Sequence, residues 1–408
     1  MISELTPFRW PASWKDPSAL ALLGDTPFDC LVCEKGAASD TLLAQAKQKG
    51  LAIVDKASPP AGALFAEGVW PGVQLARGQA AASSGPTGNP WVDSNGWKIR
   101  LESARNPGSC VWVDAKPPDR PPLAASYPRA IADCAAYGGR WIVTLDQQLA
   151  GDIALGKADA LAAWKAIAGA ARFFKDRKAW SGYAPVAVLG IVSDFSGDNE
   201  FMGQELLNLL ARTNQQSAII LKDRVSASSF AGMRAVIYAD VKAPAPGLRS
   251  RIMGFVESGG TLITGPNWGP APGTPSSGPD LPGYAWRAAG KGRVALAQAE
   301  FGDPYALANE AVLIVSHRYD SVRLFNAGSA GSSYTAAPDG KRAVVQMLFY
   351  TDRGVTSVTA RVSGKYRTGK LWTLDGPEPR PIEMDLQKDA VELHLPTVSQ
   401  YAAAELET

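Results

Sequence analysis

The sequence predicts an α/β protein in three parts: a short or irregular TIM-like barrel over 1–182, a doubly wound parallel sheet over 183–318, and a small antiparallel β-sandwich over 319–408. Three observations predict it. Short apolar runs alternate with amphipathic helical patterns up to about residue 182, as parallel strands with helices outside them require. A second alternation starts at 186–193 with a continuous apolar run, the mark of a strand covered on both faces. Beyond residue 319 the helical period disappears, and Asp-Gly, Arg-Gly and Pro-rich turns separate short strands.

In the first part, strands are expected over 28–34, 51–55, 73–76, 110–114 and 141–146, with 8–10 as a sixth. Helical patterns lie between them over 39–49, 97–103, 127–137 and 159–175. In the last of these, Leu161, Trp164, Ala168, Ala171 and Phe174 recur at helical spacing and make one apolar stripe. The segment is short for eight strand-helix units, which usually take about 200 to 250 residues, so the barrel is expected to be reduced. In the second part, strands are expected over 186–193, 217–221, 235–239, 261–264 and 292–298, with helices over 201–212, 247–257 and 305–317. Gly259 and Gly260 suit the end of the middle helix. The stretch 265–292 is dense in Pro, Gly and Ser and reads as a long surface loop. In the third part, strands over 322–325, 343–350, 355–362, 369–374, 382–385, 391–395 and 401–406 suit a small sandwich.

Composition narrows the chemistry. The 408 residues include two histidines, His317 and His394, both in the last quarter and remote from any serine or cysteine motif. A Ser-His-Asp or Cys-His apparatus is therefore excluded, as are histidine-rich zinc, copper or iron centres, and neither a metal nor another cofactor is expected. The net charge of +2, spread along the chain, carries no footprint for nucleic acid or an anionic membrane. No run reaches about 18 apolar residues, so no membrane span is expected. The first fourteen residues lack the basic start and apolar run of a signal peptide. That leaves open a cytoplasmic home or export with a leader absent from this sequence. Of the four cysteines, Cys30 and Cys33 have redox-pair spacing but fall on one strand, where positions three apart face opposite sides. Small core hydrophobes are expected there.

The order barrel, doubly wound sheet and β-sandwich resembles bacterial beta-galactosidases, whose catalytic barrel is followed by a trimerisation domain and a short C-terminal β-domain. The residues that carry the likeness are Val-Glu-Ser-Gly-Gly-Thr-Leu-Ile-Thr-Gly at 256–265, Gly-Lys-Gly-Arg-Val at 290–294, Lys-Leu-Trp-Thr-Leu-Asp-Gly at 370–376 and Leu-His-Leu-Pro at 393–396. The resemblance implies that the middle part is flavodoxin-like, similar to class I glutamine amidotransferases without their chemistry, and that the chain forms a homo-oligomer. One departure matters. That group of glycosidases carries its acid/base glutamate after an asparagine at a barrel strand end, and the only Asn-Glu pairs here, Asn199-Glu200 and Asn309-Glu310, lie outside the barrel. The catalytic pair does not carry over by motif.

Barrel chemistry sits at the C-terminal ends of strands. Four strands end in carboxylates: Glu34, Asp55, Asp114 and Asp146. Glycoside hydrolysis needs two facing carboxyl groups, one protonated and one ionised. Asp114 and Asp146, each leaving a strongly apolar strand, are the better catalytic pair, with helix or turn capping as the alternative. Glu34 and Asp55 suit substrate binding or, for Glu34, a pairing with Lys35. Between these strands the loop 85–97 concentrates Asn89, Trp91, Asp93, Asn95 and Trp97. Indole faces stack on sugar rings while Asn and Asp grip hydroxyls, so these residues and Trp70 are candidates for sugar contact, against a structural role as aromatic plugs. The acidic segment 192–200 lacks a phosphate-binding glycine pattern and a reactive cysteine, and suits capping of the helix that follows.

Together these readings point to a glycoside hydrolase acting on a neutral glycan through paired strand-end carboxylates. The alternative is a non-catalytic relative of such enzymes, kept as a glycan-binding or assembly scaffold.

Overall fold

Apolar runs of four or five residues become strands buried on both faces, the setting in which a strand shows no polar alternation. The computed structural model describes residues 4–34, 36, 38–74, 91–213, 215–352 and 354–408. In it every residue of Cys30–Cys33 and Cys110–Asp114 is buried. Pro7–Arg9, Cys30–Cys33 and Ala52–Asp55 form one parallel ladder, and Ala63–Glu67, Cys110–Asp114 and Arg140–Trp141 form another. A parallel bridge from Phe8 to Val143 joins the two. The six strands thus follow one another in chain order, with the first beside the last. Among the described residues no ladder closes Ala52–Asp55 onto Ala63–Glu67.

Several elements differ from expectation. The strand expected over 141–146 stops after Val143, because Asp146 opens the helix Gln147–Ala154. Ala63–Glu67 was not anticipated; four of its residues are only half-buried, and its small residues give a weak pattern. The strand expected over 73–76 contracts to Gly72–Val73, paired with Val92–Asp93, while 75 and 76 lie outside the described residues. In Ala158–Asp176 the expected stripe keeps Trp164, Ala168 and Ala171, but Leu161 is 39% exposed, and Ile167 and Phe173 are buried as well. The helix serves two cores at once: Trp164 and Ile167 pack on the parallel array, and Phe173 packs with Trp180 and Tyr401 against the C-terminal sheet.

The second sheet runs Ser217–Leu221, Leu189–Ser193, Ala235–Tyr238, Thr261–Thr264, Gly292–Ala297, Tyr284–Ala289, Thr274–Pro275. Its first five strands are parallel and its last two antiparallel. Ile191 and Val192 feed separate cores on opposite faces. Helices Glu200–Arg212 and Pro304–Val315 cover one face, and Pro246–Glu257 the other. Part of the expected 265–292 loop is therefore a strand: Tyr284–Ala289 pairs back on Gly292–Ala297 and buries Trp286.

The C-terminal region holds two antiparallel sheets around one core. In Arg342–Phe349, Ala343, Val345, Met347 and Phe349 face that core, while Val344 and Leu348 face Phe173 and Trp180. The unforeseen strand Ala330–Ala336 pairs with Arg342–Phe349 and also with Ala184–Pro185. All four cysteines are buried and free, and burial pushes the Cys30 thiol up to about 12, which suits core packing. Among the described residues no helix is long and apolar enough to cross a membrane.

Phe8 is fully buried, with its ring centroid 5.3 Å from those of both Phe28 and Trp164 and 5.9 Å from that of Trp14. Phe8→Ala should lower the unfolding free energy by about 3 to 5 kcal/mol in urea titration. A loss under about 1 kcal/mol would show that this aromatic cluster does not organise the array.

Candidate functional site

Parallel strands place their carboxyl-terminal ends on one side. Five of those ends meet around Arg9, the last residue of Pro7–Arg9. Its Nη1 donates to Glu34 Oε1 at 2.7 Å, its Nη2 to Asp114 Oδ1 at 2.5 Å and its Nε to Thr144 Oγ1 at 3.2 Å. Lys56, just after Ala52–Asp55, reaches Asp114 Oδ2 at 2.6 Å. Side-chain exposure is 7% for Asp114, 14% for Arg9 and 62% for Glu34, so the cluster has a dry centre and a wet edge. Burial alone would raise the Asp114 carboxyl. The Lys56 hydrogen bond and the Arg9 charge outweigh it and hold the group below the usual carboxylate range.

Backbone geometry holds this end in place. Gly68 donates its amide to the Asp114 carbonyl at 2.9 Å, and a Cβ at Gly68 would meet Val113 Cγ1 at 2.1 Å, so the close approach requires glycine. Trp70, half-buried, donates its indole N–H to the Lys116 carbonyl at 2.8 Å and lies edge-on to Tyr127 and Trp141. It forms an aromatic wall beside the chain that leaves Asp114.

The two carboxylates expected as a pair are not equivalent. Asp146 Oδ1 accepts the amides of Gln148 and Leu149 at 2.9 and 3.0 Å, and its Oδ2 accepts the Tyr127 hydroxyl at 2.8 Å. Both oxygens are engaged, and the capping alternative describes this residue. Asp55 likewise accepts the Ala57 amide at 2.9 Å in a local turn.

The loop candidates divide. Asn95 is 2% exposed, exchanges hydrogen bonds with both backbone groups of Val69, and donates to Asp133. These bonds clamp the Val69 backbone to Asp133, as the structural alternative describes. The fully buried Asp133 also accepts from Ser94 and Tyr350, tying the first part to the C-terminal sheet. Trp91 and Trp97 pack on the core of the second sheet, with Arg212 over Trp91. Asp93 is half-buried, and that burial raises its carboxyl against the lowering charge of Arg212. Asn89 lies outside the described residues. In the acidic segment 192–200, Asp194 accepts from Asn199 and pairs with Lys222, which also holds Asp240. No three His, Cys, Asp or Glu side chains converge as a metal set among the described residues.

Sequence reasoning missed Arg9, Lys56 and Thr144. The signal was present: Arg9 ends a short strand that falls beside the acidic strand ends, and a cation is one of the two ways a buried carboxylate is satisfied.

The sequence matches no protein-family model and no curated protein. Its fold is similar to those of three solved glycosidase structures. Alpha-L-fucosidase isoenzyme 2 from Paenibacillus thiaminolyticus superposes with a TM-score of 0.55 at 12% identity, over 90% of this chain and 70% of that one. The rhamnosidase from Novosphingobium sp. PP1Y gives 0.52 at 10% identity, over 92% of this chain and 37% of that one. The cold-adapted beta-galactosidase from Rahnella sp. R3 gives 0.50 at 11% identity, over 92% and 63% respectively. At these identities the likeness is one of fold, and the chain spans less than two thirds of the last two proteins.

Folded Asp114 titrates below its unfolded value of about 3.9. Its ion pairs therefore stabilise the fold fully above that pH and are lost as pH falls through the lower folded value. Asp114→Asn should cost about 2 kcal/mol of stability near neutral pH, and the gap to the natural protein should close below about pH 4. Urea titrations across pH measure this; a gap independent of pH would contradict it.

Proposed function

We propose that the chain is a glycoside hydrolase acting on a neutral glycan at the Arg9 end of its parallel array. The array is taken as a short barrel over 1–182, the second sheet as a flavodoxin-like domain over 183–318, and the rest as a sandwich. The observation that carries the reading is the sharing of one guanidinium by two carboxylates from different strands, Glu34 and Asp114. Fork geometry keeps such groups close, within the separation of about 5 to 10 Å that paired glycosidase carboxylates occupy.

Asp114 is the ionised member, kept so by Lys56 and Arg9, and acts as nucleophile or base. Glu34, at the wet edge of the same fork and open to the leaving group, is assigned the exchange of the proton. Trp70 supplies the apolar face for the ring. Asp146 supports the site through Tyr127 rather than reacting.

One observation favours a second reading, glycan binding without turnover: both oxygens of Asp114 already carry cations.

Hydrolysis of a panel of neutral aryl glycosides by the natural protein, Glu34→Gln and Asp114→Asn decides between them. Each substitution should reduce kcat/KM by roughly a hundredfold or more. Full activity in both variants would overturn the assignment. Sugar binding that depends on these residues with no turnover in the natural protein would select the second reading.

A further inference from the structure

A groove of about 660 Å³ lies between the amino-terminal end of the second sheet and the C-terminal sheet that holds Thr359–Ser363. Its wall comes from the chain 185–188 leading into Leu189–Ser193, the turn 231–234 ahead of Ala235–Tyr238, the turn His317–Tyr319 after the helix Pro304–Val315, and Thr359–Ser363. Ala360 and Val362 of that strand belong to the sandwich core, so Arg361 and Ser363 are left to face the groove. Three arginines line it, Arg234, Arg318 and Arg361, and no hydrogen bond or ion pair joins their guanidiniums to a described residue. The carboxylates of the region do not take them up. Asp320 is buried, with its oxygens held by Gln215 and His317, and neither Asp389 on the wall nor Glu392 across the ladder from Arg361 forms an ion pair with them.

Tyr319 gathers the cations. The Arg234 guanidinium lies 4.2 Å and that of Arg318 4.8 Å from its ring centre, so their central carbons stand within about 9 Å of each other, on the scale of a Debye length at physiological salt. Both arginines are exposed and the tyrosine is half-buried, so the ring is a fixed seat for two side chains that reach into water. Contact with a ring holds a guanidinium in place without supplying an acceptor for any of its N–H donors. The donors are therefore oriented in advance and still free, which lowers the ordering cost of binding. Arg361 adds a third cation and stands directly opposite Arg323 in its ladder, a like-charge pairing that a sheet tolerates poorly. The turn that presents Arg318 and Tyr319 begins at Ser316, whose φ of 71° is rare for a residue with a side chain. Such outliers gather where a site is held in a set geometry.

We propose that this groove binds a phosphate group, free or carried by a sugar, between Arg234 and Arg318 with Arg361 as a third donor. A tetrahedral phosphate offers three terminal oxygens and close to two negative charges at neutral pH, so one group can accept from two guanidinium forks. Neutral hydroxyls offer no such charge. The volume falls within the range of about 300 to 1,000 Å³ that small-molecule sites occupy, which leaves room for a sugar beyond the phosphate along the apolar chain 185–188. The groove shares no residue with the Arg9 cluster and is independent of any turnover there.

Isothermal titration of the full chain with inorganic phosphate, D-glucose 6-phosphate and D-glucose, at neutral pH and constant ionic strength, tests this. Saturable one-to-one binding is expected for the phosphates, with none for glucose. Tighter binding of glucose 6-phosphate than of inorganic phosphate identifies a sugar-phosphate site, and equal or weaker binding a site for the free ion. Arg234→Met and Arg318→Met, at exposed positions where folding is least at risk, should each weaken binding roughly tenfold or more with circular dichroism unchanged. Tyr319→Leu, which keeps the cations and removes their seat, should weaken it in the same direction. Glu34→Gln should bind as the natural protein does, which keeps this result apart from any at the Arg9 end. Absence of saturable phosphate binding, full affinity in both arginine variants, or an equal loss in Lys165→Met, at an exposed position outside the groove, would overturn the proposal.

Discussion

One guanidinium organises the carboxyl-terminal end of the parallel array. Arg9 ends the first strand of a parallel array whose first and last strands are neighbours, so its side chain reaches Glu34, Asp114 and Thr144 at once. Enclosing the Asp114 carboxylate or the Arg9 guanidinium alone would be costly, and the ion pair offsets both costs. Each makes the other tolerable. The pairing also locks four strand ends together, and Lys56 adds a fifth through Asp114. The depressed carboxyl, the placement of Glu34 and the position of Trp70 beside the outgoing chain all follow from that arrangement.

Polar groups elsewhere fall into two kinds. Some are satisfied within the protein and act as fasteners: Asp133 gathers Ser94, Asn95 and Tyr350, and Asp146 caps a helix while holding Tyr127. Others are enclosed and unsatisfied, chiefly Arg100 and Arg177 at the junction of the three regions. The first kind explains how sheets of different architecture stay docked.

The alternation of apolar runs and helical patterns made most of the fold legible. Strands such as Cys110–Asp114 and helices such as Glu200–Arg212 stand where periodicity puts them, because burial on two faces or one leaves a clear pattern. Ala330–Ala336 was hidden because it is built largely from small or polar residues that periodicity does not register, and Ala63–Glu67 because it is short and only half-buried. In the site, Asp114 and Glu34 were legible as strand-end carboxylates. The inequality of Asp114 and Asp146 was not, since a strand-end Asp reads the same whether it meets a guanidinium or two helix amides. The clamp that Asn95 makes on the Val69 backbone was not legible for a similar reason: an amide in a turn-rich loop reads the same whether it meets a ligand or the chain itself.

The central claim is that glycan is recognised at the Arg9 end of the parallel array. The most direct measurement is a crystal of the protein soaked with neutral oligosaccharides. The account predicts an ordered sugar whose ring lies on Trp70 and whose hydroxyls meet Glu34 and Asp114. Sugar ordered elsewhere, with the Arg9 end unoccupied, would contradict it.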